Sequence, residues 1–166
     1  RGDATGGCGT VGRRAVCLGA LPGGDVSAQA TRTGAWCVAM GASGHAARCD
    51  VRDRGAVERF VLDAKARFGS IHFLVNNAGI AIDGALWRLS ENAWQEVLVT
   101  NVTGALNRIP AVAPIFRGQH YGQIVSASAH QATRTGFGVA NYAAVQAALL
   151  ALTRAAALPL VPATVH

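Results

Sequence analysis

The sequence predicts an α/β fold in which a parallel sheet carries helices on both faces. Three observations lead there. IHFLVNN (71–77) and QIVSAS (123–128) are short, rich in β-branched residues and mostly apolar, as strands buried on both faces should be. Between them lie segments whose apolar residues recur at helical spacing. Strand, helix and strand at these separations imply parallel neighbours, because parallel pairing needs a long crossover.

Along the chain, TGGCGTVG (5–12) is a glycine-rich turn, and a helix is expected to start after Gly12, although RGDA before it lacks the apolar strand such a turn should follow. A strand near Asp25 to Ala30, a helix near Arg32 to Met40 and a strand from His45 to Cys49 come next. Between Cys49 and Phe68, the apolar positions Val57, Phe60, Val61, Ala64 and Phe68 form one helical stripe. Ser90 precedes ENAWQEVLVTNVTGAL and reads as an N-cap, with Trp94, Val97, Leu98, Asn101 and Ala105 on one face. The stretch from Tyr142 to Leu158 is an alanine- and leucine-rich helix.

At 166 residues and 51% apolar content, the chain is expected to form a single domain over 1–166. No internal repeat or linker divides it. A formal charge of +6 raises the question of nucleic acid, but the basic residues are scattered singly apart from Arg13-Arg14 and Arg52/Arg54, so no nucleic-acid partner is expected. No apolar run approaches membrane-spanning length, and no secretory signal opens the sequence, which makes the cytoplasm the expected location. Cys8, Cys17, Cys37 and Cys49 form no CxxC pair and are expected to be reduced structural thiols.

In open parallel sheets, ligands bind at the carboxyl ends of the strands. The residues able to carry chemistry cluster at such ends. The glycine turn would present backbone NH groups and a helix dipole to a pyrophosphate. Asp50-Val51 and Asn77-Ala78-Gly79 follow two successive strands and together suit the rim of a nucleotide cleft, although Asp and Asn there also serve simply as caps. Asn101 interrupts an apolar stripe and needs hydrogen-bond partners. Tyr142 and Gln146 stand one helical turn apart on one face.

Taken together, CDV, LVNNAGI, DGALWRLSENAWQEVLVTNVTGAL, GQIVSAS and ANYAA resemble, in order, the short-chain dehydrogenase/reductase family, and most closely its 3-oxoacyl-(acyl-carrier-protein) reductase branch. The likeness covers about two thirds of the chain, from Cys49 to Leu158; the first fifty residues match more loosely. It implies a Rossmann-type doubly wound parallel sheet binding NAD(P)(H). The sequence closes on LPLVPATVH where the family continues, so the resemblance also implies a sheet short of the last family strands.

By the same resemblance, Gly6, Thr10 and Gly12 would lie along the pyrophosphate, with Thr10 where the family has a glycine. Asp50 and Val51 would meet the adenine, and Asn77, Ala78 and Gly79 its ribose. Thr31 and Arg32 follow the second strand; no carboxylate stands there for a ribose 2′-hydroxyl and Arg32 suits a 2′-phosphate, which favours NADP(H) over NAD(H). The implied activity is reduction of a small-molecule ketone or 3-oxoacyl group, in a homo-oligomer (dimer or tetramer).

Of the four side chains the family uses in catalysis, Asn101 and Tyr142 are in place. The serine position, thirteen before the tyrosine, holds Ala129, and the lysine position holds Gln146. A lysine ammonium one turn from a phenol favours the phenolate; a neutral amide does not. Ser128 is the nearest substitute hydroxyl, although strand alternation aims it away from the side of residue 129, and His130 is a second candidate. An impaired homologue that binds a dinucleotide or a partner subunit without appreciable turnover is therefore the competing expectation. Pro110 is a further departure within the long helix.

Overall fold

The computed structural model describes residues 8–11, 14–19, 43–158 and 164–165. The strand expected near Asp25 to Ala30, the helix near Arg32 to Met40, and the positions Gly6, Gly12, Thr31 and Arg32 lie outside the described residues. Among those described, the fold is α/β with largely parallel pairing. β1 (Cys8–Val11) runs antiparallel to β2 (Arg14–Gly19), and β2 is parallel to β3 (Ser43–Arg48). β4 (Phe73–Asn76) and β5 (Gln123–Ser126) are parallel, in register from Phe73 opposite Gln123 to Asn76 opposite Ser126.

One expectation is corrected. Residues 14–19 are a strand, not a helix begun after Gly12, and Thr10 pairs with Ala15 inside a hairpin instead of turning into a helix N-terminus. The run RAVCLG is short, apolar and bounded by glycine-rich chain, which is strand chemistry, and it finds a parallel partner in β3. The close of the chain also adds a strand: β6 (Thr164–Val165) is parallel to β5, with Thr164 opposite Gln123.

The helices follow their sequence signals. α1 (Arg54–Phe68) starts where Asp53 Oδ1 accepts from the Ala56 N–H at 3.0 Å, and stops at Gly69, left-handed at φ 78°, whose N–H donates to the Lys65 carbonyl. Its buried face is Val57, Phe60, Val61 and Ala64, the expected stripe. α2 (Glu91–Leu98) starts at Ser90, whose Oγ accepts from the Ala93 N–H. It runs into a π-helical turn, Val99–Thr103, and then α3 (Gly104–Gln119). Pro110 and Pro114 sit within α3 on its exposed side, four residues apart with Leu106, so the carbonyls they leave unpaired meet water and the helix continues.

Val57, Phe60 and Val61 of α1, Ile109, Val112 and Phe116 of α3, Leu74 of β4 and Ile124 of β5 form the core together with Cys49. Burying Phe116 completely stabilises by roughly 1.5–3 kcal/mol relative to leaving it exposed. The chain then reverses through His120, left-handed at φ 52°, and Gly122, where a Cβ would lie 2.1 Å from the Phe116 ring. Only glycine lets the backbone pass the ring there.

Two ionisable groups are carried inside. Arg108 of α3 is 2% exposed; its Nε donates to the Gly104 carbonyl at 3.0 Å, its Nη2 has no partner, and burial pushes its pKa down to about 10. Burial, reinforced by the charges of Asp50 and Asp53, pushes the free Cys49 thiol up to about 11, which keeps it protonated at neutral pH. α4 (Ala140–Ala157) is the last helix of the described fold and packs on β5 and the π turn, with Val145, Leu149, Thr153 and Ala156 buried. No described helix is long and apolar enough to cross a membrane.

Candidate active site

The carboxyl ends of β4 and β5 lead into two loops, 77–90 and 127–139, and α4 begins directly after the second. A buried polar chain fixes the strands to that helix. Asn76 Nδ2 donates to Ser126 Oγ at 3.3 Å, and the Thr153 hydroxyl lies 2.7 Å from the same oxygen.

Asn101 is the joint of the first loop. The π turn buries its side chain to 1% exposure, and there Oδ1 accepts from the Ile80 N–H at 2.8 Å while Nδ2 donates to the Ile80 carbonyl at 3.0 Å. This reciprocal pair ties both amide atoms to Ile80 and sets the course of the chain after Asn77-Ala78-Gly79. It also explains Gly79, where a Cβ would stand 3.2 Å from three atoms of the Asn101 amide. Helices widen into π turns often at functional sites; here the widening accompanies an amide bonded to another segment.

The residues expected at the base end of a nucleotide are brought together. Val51 and Ala78 are buried in mutual contact, and Gly104 lies so close that a Cβ there would be 2.6 Å from Val51 Cγ2. Asn107 Nδ2 donates to the Val51 carbonyl at 2.9 Å and to that of Arg52 at 3.2 Å, which anchors the loop after β3. Asp50 projects from this loop into solvent and is gripped by Arg52. Hydrogen bonds from the Arg52 side chain hold the Asp50 carboxyl below the usual carboxylate range.

Tyr142 occupies the first turn of α4 and is half-buried, outside the hydrocarbon core. Its N–H donates to Asn141 Oδ1 at 2.8 Å, and Asn141 Nδ2 donates to the Ile82 carbonyl at 2.9 Å, tying the start of α4 to the first loop. The Gly84 N–H donates to the carbonyl of Gly138, itself left-handed at φ 83°, and the Trp87 and Phe137 rings meet edge to face, so the two loops are joined beside Tyr142.

One turn on, Gln146 is 5% exposed and its Oε1 has no hydrogen-bond partner. Ser128 does reach α4, but its hydroxyl donates to the Gln146 backbone carbonyl at 3.1 Å, which uses its single proton. Ala129 precedes the 3-10 turn His130–Ala132, and His130 is an exposed turn residue. At the other end, Thr10 sits in the β1–β2 hairpin. Asn107 and Asn141 are the site's supports that the sequence left unmarked; an amide beside the tyrosine and a second one six residues after Asn101 were the available signals. No cluster of potential metal ligands occurs among the described residues.

An α/β fold with this rim defines a class. A family model described as short chain dehydrogenase matches residues 4–166, and the chain belongs to that family. Among individual proteins, it is 35% identical over 119 residues to the 3-oxoacyl-(acyl-carrier-protein) reductase of Staphylococcus aureus, covering 72% of this chain and 48% of the relative. The enzyme of that name from Salmonella typhimurium is 30% identical over 118 residues, covering 71% of this chain and 48% of the relative. The chain thus spans about half the length of the curated relatives it matches. Among solved structures, a xylitol dehydrogenase with NAD+ bound superposes with a TM-score of 0.79 at 31% identity, over 82% of this chain and 53% of the other. A short-chain dehydrogenase/reductase from Burkholderia xenovorans gives 0.76 at 34% identity, over 81% and 53%.

Proposed function

We propose that this chain is one dinucleotide-binding unit of a reductase that converts a ketone or 3-oxoacyl group to an alcohol, using NADP(H) in preference to NAD(H). The observation that carries it is the joined rim: the Asn101–Ile80 pair, the Asn141–Ile82 bond and Tyr142 on the helix packed against both. The names of the most similar relatives support the substrate class, and Arg32, with no carboxylate beside it in the sequence, supports the cofactor preference.

The residues present fit a dinucleotide at its base and ribose parts. Val51 and Ala78 pack together under the loop ends that would meet the base, and the buried, unpartnered Oε1 of Gln146 is an acceptor of the kind a ribose hydroxyl satisfies. At the phosphates the fit is poorer, because Thr10 lies in a hairpin and not at a helix N-terminus. A bound nicotinamide supplies or accepts the hydride.

The chain's own residues then handle the proton and the geometry. Tyr142 holds the proton destined for the carbonyl oxygen. Asn101 keeps the loop and the π turn in place through its two bonds to Ile80. Gln146 brings no charge to the phenol, and Ser128 can point its proton at a substrate only by leaving the Gln146 carbonyl. Ala129 and Gln146 favour a second reading, a dinucleotide-binding or subunit-interaction module with little turnover. In either case a dimer or tetramer and a cytoplasmic setting are the expected context.

The test joins binding to rate. Titration with NADPH and NADH, followed by the fluorescence of Trp36, Trp87 and Trp94, should saturate, at lower concentration for NADPH; no saturation with either removes the reductase reading and leaves only a subunit-interaction module. The double change Ala129→Ser with Gln146→Lys should raise NADPH-dependent ketone reduction by about 10²-fold or more. A folded double variant that binds NADPH and gains nothing favours the second reading.

A further inference from the structure

The hairpin of β1 and β2 brings two cysteines to facing positions. Cys8 stands opposite Cys17, Gly9 opposite Val16, Thr10 opposite Ala15 and Val11 opposite Arg14. Only two residues separate Val11 from Arg14, so this closing pair is a hydrogen-bonded one; the alternative pattern would need a bond between the adjacent residues 12 and 13. Facing pairs alternate in kind along an antiparallel ladder, which makes Cys8–Cys17, three steps on, a non-hydrogen-bonded pair. Such pairs hold their Cα atoms about 4.5 Å apart, within the roughly 4.4–6.8 Å that a disulfide spans, and facing residues share one face of the ladder. No CxxC spacing marks the two in the sequence; strand pairing alone puts them together.

Cys49 does not compete for this partnership. Cys17 stands opposite Ala46 of β3, and Cys49 follows Ala46 by three residues, about 10 Å at roughly 3.3 Å per residue. A disulfide does not reach that far without backbone movement. Cys49 is also buried and free, and burial pushes its thiol up to about 11, so it lacks the thiolate that exchange requires.

We propose that Cys8 and Cys17 are a reversible dithiol–disulfide pair, closed by a low-molecular-weight disulfide such as glutathione disulfide, and that closure staples the glycine-rich hairpin. One cysteine thiolate attacks the S–S bond of the oxidant, forming a mixed disulfide and releasing one small thiolate. The other attacks the protein sulfur of that mixed disulfide, forming the Cys8–Cys17 bond and releasing the second small thiolate. The two protons given up by the cysteines go to the released thiolates, and the two electrons reduce the oxidant. In a reducing compartment, bridges of this kind are transient and redox-responsive. The inference stands apart from the dinucleotide reading, and neither needs the other.

The experiment equilibrates the full chain with set ratios of oxidised to reduced glutathione, quenches with acid, and maps the bonds by tryptic digestion and mass spectrometry. The four cysteines fall in separate tryptic peptides, 2–13, 15–32, 33–48 and 49–52, so each pairing has its own mass. The folded chain should yield 2–13 bonded to 15–32. Its equilibrium constant should exceed that of the chain unfolded in urea by about 10²-fold, because the fold has already closed the loop of about ten residues. Cys17→Ser combined with Val16→Cys moves the second thiol to the opposite face of the ladder, and the folded advantage should shrink to within about threefold. A dominant bond to 33–48 or 49–52, a folded constant no greater than the unfolded one, or a shifted variant that closes as readily as the native chain overturns the inference. Where the shifted variant does not fold, the folded-to-unfolded ratio of the unaltered chain decides alone.

Discussion

The π turn and the first turns of α4 treat buried amides in opposite ways. Asn101 spends both amide atoms on Ile80. Gln146, buried nearly as deeply on a helix packed against that turn, keeps an acceptor without a partner. The first is a joint that the chain completes for itself. The second leaves its buried Oε1 without a hydrogen bond from the protein. Scaffold and chemistry can thus be told apart within one rim, by asking which polar atoms the fold already satisfies.

The comparison can be broken by mutation. Asn101→Leu leaves the Ile80 N–H and carbonyl unpaired, and should cost about 2–4 kcal/mol in urea or thermal unfolding, the sum expected for two stranded buried groups. Gln146→Leu should have the opposite sign, neutral to about 1 kcal/mol stabilising, because it removes an unsatisfied acceptor. Comparable losses in both would erase the distinction. The smallest effect lies at Asp50. The Arg52 hydrogen bonds depress its pKa in the folded state, so the pair contributes stability above the unfolded value near 4 and loses it as pH falls through the depressed folded value. Thermal midpoints of the native protein and Arg52→Ala should therefore differ slightly at neutral pH and converge in acid.

Much of this was legible because the signals are local. The stripe Val57, Phe60, Val61 and Ala64 repeats at the helical period, and Ser90 stands directly before its helix. Strands β4 and β5 could be read from runs of β-branched residues, with the site at their ends. What escaped was long-range or permissive. Asn107 and Asn141 act on carbonyls 56 and 59 positions away, which no local pattern marks. The glycine-rich opening admits both a helix-starting turn and a hairpin, and pairing with β3 selects the hairpin. Nothing in the spacing distinguished Asn101 as the centre of a π turn from an ordinary helical residue, because its partner lies in another loop. Arg108 was likewise unmarked as a buried charge: helical position places it inward, but burial without a carboxylate is a property of the packed whole.

The reversal at His120 to Gly122 lies at the pole of the sheet opposite Tyr142, yet it decides which way the chain faces when it arrives there. Phe116 presses on the turn, Gln123 enters the ladder opposite Phe73, and successive side chains alternate from that point on. Inserting one residue between His120 and Gly122 that shifts the register would flip the inward and outward sets of β5 and carry Ser126 away from Asn76 and Thr153. The remote bend is thus a handle on the far end of the sheet, reached from behind.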